Sequence, residues 1–171
     1  MKNLHKRIFI LCFFIGSISI FAQTNALSIQ GVFDLDVPTG GSDGKAIHLV
    51  ATADIADLSI FGLGVANNGG GTDGMEYSLD AVPASNGDDI LIARSVEAMS
   101  AYFADCYTEF EIIMVANSSI SQNGDDAIEL FEGEMVIETF GDIDTDGTGE
   151  AWEYMDSWAF KVRRSMDLWR C

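Results

Sequence analysis

Basic side chains are the scarcest chemistry in this sequence. Nine Lys and Arg stand against 27 Asp and Glu, a formal charge of −18 over 171 residues. That deficit argues against a nucleic-acid or anionic-membrane partner, since both demand a basic surface. Cysteine, at three, is too rare for a disulfide-stapled miniprotein. Proline, at two, and glycine without a period rule out a fibre. No apolar run reaches the roughly 20 residues that a membrane-spanning helix needs. What is present is a chain 48% apolar, enough for a real core, and of a length that suits one domain.

Residues 1–22 read as a secretory signal peptide, with an uncleaved anchor as the alternative. Lys2, Lys6 and Arg7 supply the positive start, and Ile8 to Ile15 is an almost unbroken apolar stretch. Gly16 and Ser17 end it, and Ala22 is the small residue before a cut at Ala22–Gln23. Cys12 follows Leu11, where bacterial lipid attachment wants a small residue, so the reading is a secreted protein and not a lipoprotein. Removing the segment takes three basic residues with it, so the formal charge falls from −18 to −21. Between Ser95 and Phe160 there are 16 acidic side chains and no Lys or Arg. That half of the chain needs either good solvation or cations. Cys106 and Cys171 remain after cleavage. Export permits a disulfide between them, but Cys171 is the last residue, and the expectation is a free thiol.

Short alternating apolar runs, separated by Gly, Asn and Asp clusters, predict an all-β sandwich. The expected strands are 27–34, 45–52, 57–66, 75–81, 89–93, 110–115, 126–132, 135–140 and 158–162. Gly62 and Gly64 inside the third suggest bulges or close backbone approach. Glu132-Gly133-Glu134 reads as a hairpin turn. One helix is expected after the N-cap Ser95, with Val96, Met99 and Phe103 on one face, packing across one end of the sandwich.

Most catalytic motifs are missing. Asp43-Gly44-Lys45-Ala46 imitates the end of a phosphate loop, but Thr39 stands at its first glycine position and Ala46 at the Mg²⁺-binding hydroxyl. Gly62-Leu63-Gly64 lacks the third glycine of a dinucleotide fingerprint, where Asn67 stands. There is no G-x-S-x-G elbow, and His48, within an alternating strand, reads as structural or merely exposed. The strongest local motif runs from Asp142 to Glu153 and fits D-x-[DN]-x-[DN]-G-x₅-E, a twelve-residue calcium loop. Asp142, Asp144 and Asp146 would surround one point, and Gly147 would permit the sharp turn. Thr148 would offer its carbonyl, Glu150 would act through water, and Glu153 would close the site with both oxygens. Calcium is therefore the candidate cofactor. Against it stand Gly149 at the position where EF-hands carry an apolar residue, and flanks that look like strands. The alternative is a surface loop of Asx turns with no metal. Trp152, Tyr154 and Trp158 follow the loop and form a candidate binding cluster, or else core and edge packing.

Several stretches together resemble the lamin tail domain, an immunoglobulin-like β-sandwich found in nuclear lamins and in secreted bacterial proteins. Lys45-Ala46-Ile47-His48-Leu49-Val50 is similar to the family's K-A-[IL]-E-[IL] strand, with His48 in place of the acid. Asp57-Leu58-Ser59 with Gly62 resembles the strand that follows. Gly87 to Ala93 resembles the "gD-x-[FY]-V-[IL]-A" strand. Asn123-Gly124-Asp125-Asp126-Ala127-Ile128-Glu129-Leu130 resembles N-G-[DN]-D-A-[IVL]-x-L, with Glu129 alternating outward. Val136 to Gly141 resembles V-I-D-x-F-G, with Trp152 in place of the family's tryptophan after a loop. The resemblance covers residues 27–164 and implies an immunoglobulin-like β-sandwich without catalytic residues. It leaves residues 165–171 as a short tail or a truncated continuation.

The functional expectation is a secreted or cell-surface module, not an enzyme, that binds a surface protein or an extracellular polymer and is stabilised by calcium. The alternative is an accessory fragment of a secreted hydrolase such as a nuclease.

Overall fold

The structure, a computed structural model, describes residues 24–38 and 40–161. The expected signal peptide (1–22), the tail (165–171) and Cys171 lie outside the described residues. Nine strands are described: β1 Leu27–Asp34, β2 Lys45–Ala51, β3 Phe61–Ala66, β4 Tyr77–Ser78, β5 Asp89–Ala93, β6 Ile112–Val115, β7 Ala127–Glu132, β8 Met135–Phe140 and β9 Ser157–Phe160. They form two sheets, ordered β6-β5-β2-β1-β9 and β4-β3-β7-β8.

The two-residue side-chain period makes the sandwich. From the larger sheet, Val32, Ile47, Leu49, Ile90 and Ile92 enter the shared core, and Leu63, Val65, Ile128 and Leu130 meet them from the smaller one. The expected β-sandwich is thus present in its architecture. β7 and β8 pair antiparallel around Gly133, as the hairpin reading anticipates. Two of the expected strands shorten for local reasons. The Asp57 carboxylate accepts the Ser59 amide at 2.9 Å and starts a 3-10 turn at Leu58–Ile60, so β3 begins only at Phe61. Glu76 gives its carboxylate to the Val65 amide at 2.9 Å, and Met75 packs at Gly62, which leaves only Tyr77–Ser78 to pair as β4.

The helix α1, Val96–Phe103, forms where Ser95 was expected to cap it, and the Ser95 hydroxyl accepts the Ala98 amide at 3.1 Å. Its position differs from the expectation. It covers the outer face of the larger sheet, where Ala98 and Met99 pack on Phe33, Leu35, Ala46, Leu91 and Ala93. The cause is topological. β5 and β6 are parallel, and a parallel pair needs a long crossover, which α1 and the turn after it supply. Phe103 meets Phe33 edge-on at 5.6 Å and Phe110 at 5.1 Å, sealing this second layer. Among the described residues no helix is long and apolar enough to cross a membrane.

Cys106, in the 3-10 segment Ala104–Glu109, is disulfide-bonded, which corrects the free-thiol expectation. Its partner lies outside the described residues. Cys106 is half-buried there.

Ala104, at the junction of α1 and that segment, has φ 50° and ψ −121°, a conformation that favours glycine. Relief of its Cβ strain outweighs the extra entropy of glycine in the unfolded chain. Ala104→Gly is expected to stabilise the protein by about 1 kcal/mol, read as a higher urea midpoint with an unchanged slope.

Candidate functional site

One end of the sandwich gathers most of the polar chemistry. Its base is a buried seam between the sheets. Lys45, the first residue of β2, points its ammonium at Asp34 of β1 (3.1 Å) and at the carbonyl of Gln122. The Gln122 amide in turn donates to the Phe33 and Ala46 carbonyls at 3.4 and 3.3 Å. Lys45, Asp34 and Gln122 are all buried.

Above the seam, residues Asn123 to Asp126 hold two other loops at once, the one after β3 and the one between β8 and β9. The Asp126 carboxylate accepts the amides of Asn68 (2.8 Å) and Asn123 (3.0 Å). The Asn123 side-chain amide, with its nitrogen turned inward, donates to Asp125 at 2.9 Å and also to Asp126. Asp125 accepts the Thr148 hydroxyl at 2.9 Å through its carboxylate and the Gly147 amide at 2.9 Å through its carbonyl. The Gly124 carbonyl takes the Tyr154 amide at 2.7 Å. Gly124 has φ +92°, and a Cβ there would sit 2.2 Å from the Met155 Cα, so only glycine fits. Burial pushes the Asp126 carboxyl above its ordinary value, against the pull of its two backbone donors.

The acidic loop is held by its own hydrogen bonds. Asp142 accepts the Asp144 amide (3.0 Å) and the Thr145 hydroxyl (3.1 Å). Asp146 accepts the Thr148 amide at 3.0 Å, and Thr148 holds its carboxyl below the usual value. Glu153 accepts the Gly149 amide at 3.0 Å. Glu150 is exposed. These are Asx-type turns, in which carboxylates serve the backbone of their own loop. Among the described residues no three Asp, Glu, His or Cys side chains converge as a metal set. The calcium reading of this loop therefore rests on the spacing of its residues and passes to experiment below.

The expected aromatic cluster divides. Tyr154 is 1% exposed, donates its hydroxyl to the Asp126 carbonyl at 3.1 Å and belongs to the core, where no external ligand reaches it. Trp152 packs edge-on against Phe140 at 6.2 Å, with its ring over Gly141 and Gly147. Trp158 lies apart on β9, 37% exposed, with its ring tilted against Phe160 at 4.9 Å.

Three features escape the sequence reading. His48 is buried with Nε2 2.6 Å from an Asp89 carboxylate oxygen, and the Phe110 ring meets it edge-on. Lys45, read as part of a strand, is an interior charge. Glu129 does alternate away from the core, yet it is 2% exposed, because the glycine-rich stretch from Asn67 to Gly74 covers it. The signal was present in Ala127-Ile128-Glu129-Leu130-Phe131, whose apolar residues on both parities mark a strand covered on both faces.

Comparison of the chain with protein-family models, with curated proteins and with solved structures finds no match.

Two outcomes follow from the buried polar end. Lys45→Met leaves Asp34 as an unpaired interior charge and is expected to cost about 3–5 kcal/mol. The double variant Lys45→Met/Asp34→Leu should recover much of this loss in urea unfolding. For Tyr154, burial first, then the charges of Asp126, Asp34 and Asp125, raise the phenol well above its ordinary 10.0. Below pH 10 it is neutral in both states. Above that, the unfolded chain ionises first, so stability falls as pH rises. Tyr154→Phe should cost about 1 kcal/mol at neutral pH and flatten the alkaline decline, as measured by urea unfolding across the pH range.

Proposed function

We propose that this is a secreted, non-catalytic attachment module of the lamin tail type, with an immunoglobulin-like sandwich that binds a cationic extracellular polymer or surface. The observation that carries the reading is how charge is distributed. Residues 24–161 hold 26 acidic and three basic side chains. Lys45 is buried against Asp34, Lys161 pairs with Glu138, and Arg94 donates to the Ile120 carbonyl at 3.1 Å. The surface is left with a strong negative field, which raises the local concentration of cationic partners and speeds their capture.

The groups that could do chemistry are occupied inside the fold. His48 is engaged by Asp89, Lys45 by Asp34 and Gln122, and Asp126 by backbone amides. The stretches that carry the lamin tail resemblance fall on β2, on the Leu58–Ile60 turn, on β5, on β7 with the turn before it, and on β8. Such an arrangement suits a module that acts through its surface field.

The test mixes the purified secreted protein with insoluble chitosan, cellulose and peptidoglycan and sediments each polymer. The expected result is retention on chitosan above that of an unrelated protein of equal negative charge. Retention should fall as NaCl rises from about 0.1 M to about 1 M and the Debye length shrinks from about 10 Å to about 3 Å. Retention no better than that control would remove the attachment reading. Nuclease, glycosidase or esterase turnover lost in a point variant would replace it with the hydrolase alternative.

A further inference from the structure

Glu129 is the one buried carboxylate whose surroundings ask for something the chain does not supply. It is 2% exposed, and no hydrogen-bond donor among the described residues reaches its Oε2. An ionised carboxyl in such a place is costly unless it is paired or coordinates a cation. Its surroundings can be built strand by strand. Ile128 and Leu130 face the core, so Glu129 faces the outer side of the smaller sheet. Its partner across β3 is Gly64, which also faces outward, because Leu63 and Val65 enter the core.

A Cβ on Gly64 would lie 2.2 Å from the Gly74 carbonyl oxygen and 3.0 Å from Cε2 of Phe131. The Gly74 carbonyl therefore occupies the side-chain space beside Glu129, and the Phe131 ring walls the niche. Directly opposed residues place their Cβ positions about 4.5–5.5 Å apart, so a glutamate carboxylate and this carbonyl come within reach of one small ion. Both are acceptors. The amide of Gly74 itself is directed to the Thr72 hydroxyl at 3.1 Å.

We propose that the niche formed by the Glu129 carboxylate and the Gly74 carbonyl binds a hard divalent cation, with water completing its shell. Oxygen donors of this kind suit Ca²⁺, and the negative field of the whole molecule draws divalent ions toward it. The site is separate from the Asp142–Glu153 motif, whose carboxylates serve their own loop. It would lock the glycine-rich stretch onto the sheet and, through the Gly71 amide bonded to the Ile143 carbonyl at 2.9 Å, steady the acidic loop beside it.

Thermal unfolding in CaCl₂ and in EDTA, at fixed ionic strength, tests this on the full secreted protein. At about 100 times Kd, Ca²⁺ is expected to raise the midpoint by roughly 5–11 °C. Glu129→Gln, which keeps the shape and removes the charge, should abolish the shift while unfolding in EDTA at or above the wild-type midpoint. Glu129→Asp should retain a smaller shift, and Asp144→Ala the full one. A wild-type protein indifferent to Ca²⁺ overturns the proposal. So does a shift that survives in Glu129→Gln, and a shift lost in Asp144→Ala but kept in Glu129→Gln would place the ion in the acidic loop instead. None of these outcomes bears on polymer retention, which stands or falls by sedimentation.

Discussion

The Lys45 ammonium is the interaction around which the rest of this structure is arranged. It lies on β2 of the larger sheet and grips the backbone of Gln122, in the segment that leads into β7 of the smaller one. Gln122 reaches back to two carbonyls of the larger sheet, at Phe33 and Ala46. The apolar core alone permits the sheets to slide, because burial is not directional. A charged, hydrogen-bonded clasp at one end fixes their register there. Its strength is conditional, since a buried ion pair repays its desolvation only while both partners remain. The clasp thus acts more through specificity than through net stability.

From that clasp the loop end follows in sequence. Asn123 to Asp126 come directly after Gln122, so their polar groups are placed wherever Gln122 is placed. Asp126 then fixes Asn68, Asp125 fixes Gly147 and Thr148, and Gly124 fixes Tyr154. Two loops distant in sequence join this one in a single surface because four consecutive residues serve both. The acidic loop inherits its shape from this support. Its own carboxylates then close its turns.

The periodic elements were legible in the sequence because their cause is local. β1, β5 and β8 stand where alternation put them, and α1 where Ser95 and its apolar face put it. The departures come from side chains that capture backbone groups. The early part of the 57–66 run turns because Asp57 captures Ser59, and most of 75–81 leaves the sheet because Glu76 and Met75 serve β3. At the candidate site, the motif spacing of Asp142 to Glu153 was readable. Whether its carboxylates meet an ion or their own amides is decided by supports far along the chain. The burial of Lys45 and of Glu129 was not legible for the same reason. A charged residue in a strand looks exposed until the segment that covers it is known. For Glu129 that segment is some 60 residues earlier in the chain.

The distribution of polar groups bears on what such a molecule can do. Interior polar groups are largely matched one to one, as with Lys45 and Asp34 or His48 and Asp89. Exterior acids mostly have only solvent and their own backbone. Among the groups raised by burial, the Asp126 carboxyl and the Tyr154 phenol are engaged by hydrogen bonds within the fold, whereas the exposed Asp57 and Asp146 are lowered by ordinary turn capping. To a partner the molecule offers its long-range field and, at Glu129, a carboxylate oxygen that no donor among the described residues reaches. The first favours cationic surfaces, the second small cations, and Glu129 is where the two coincide.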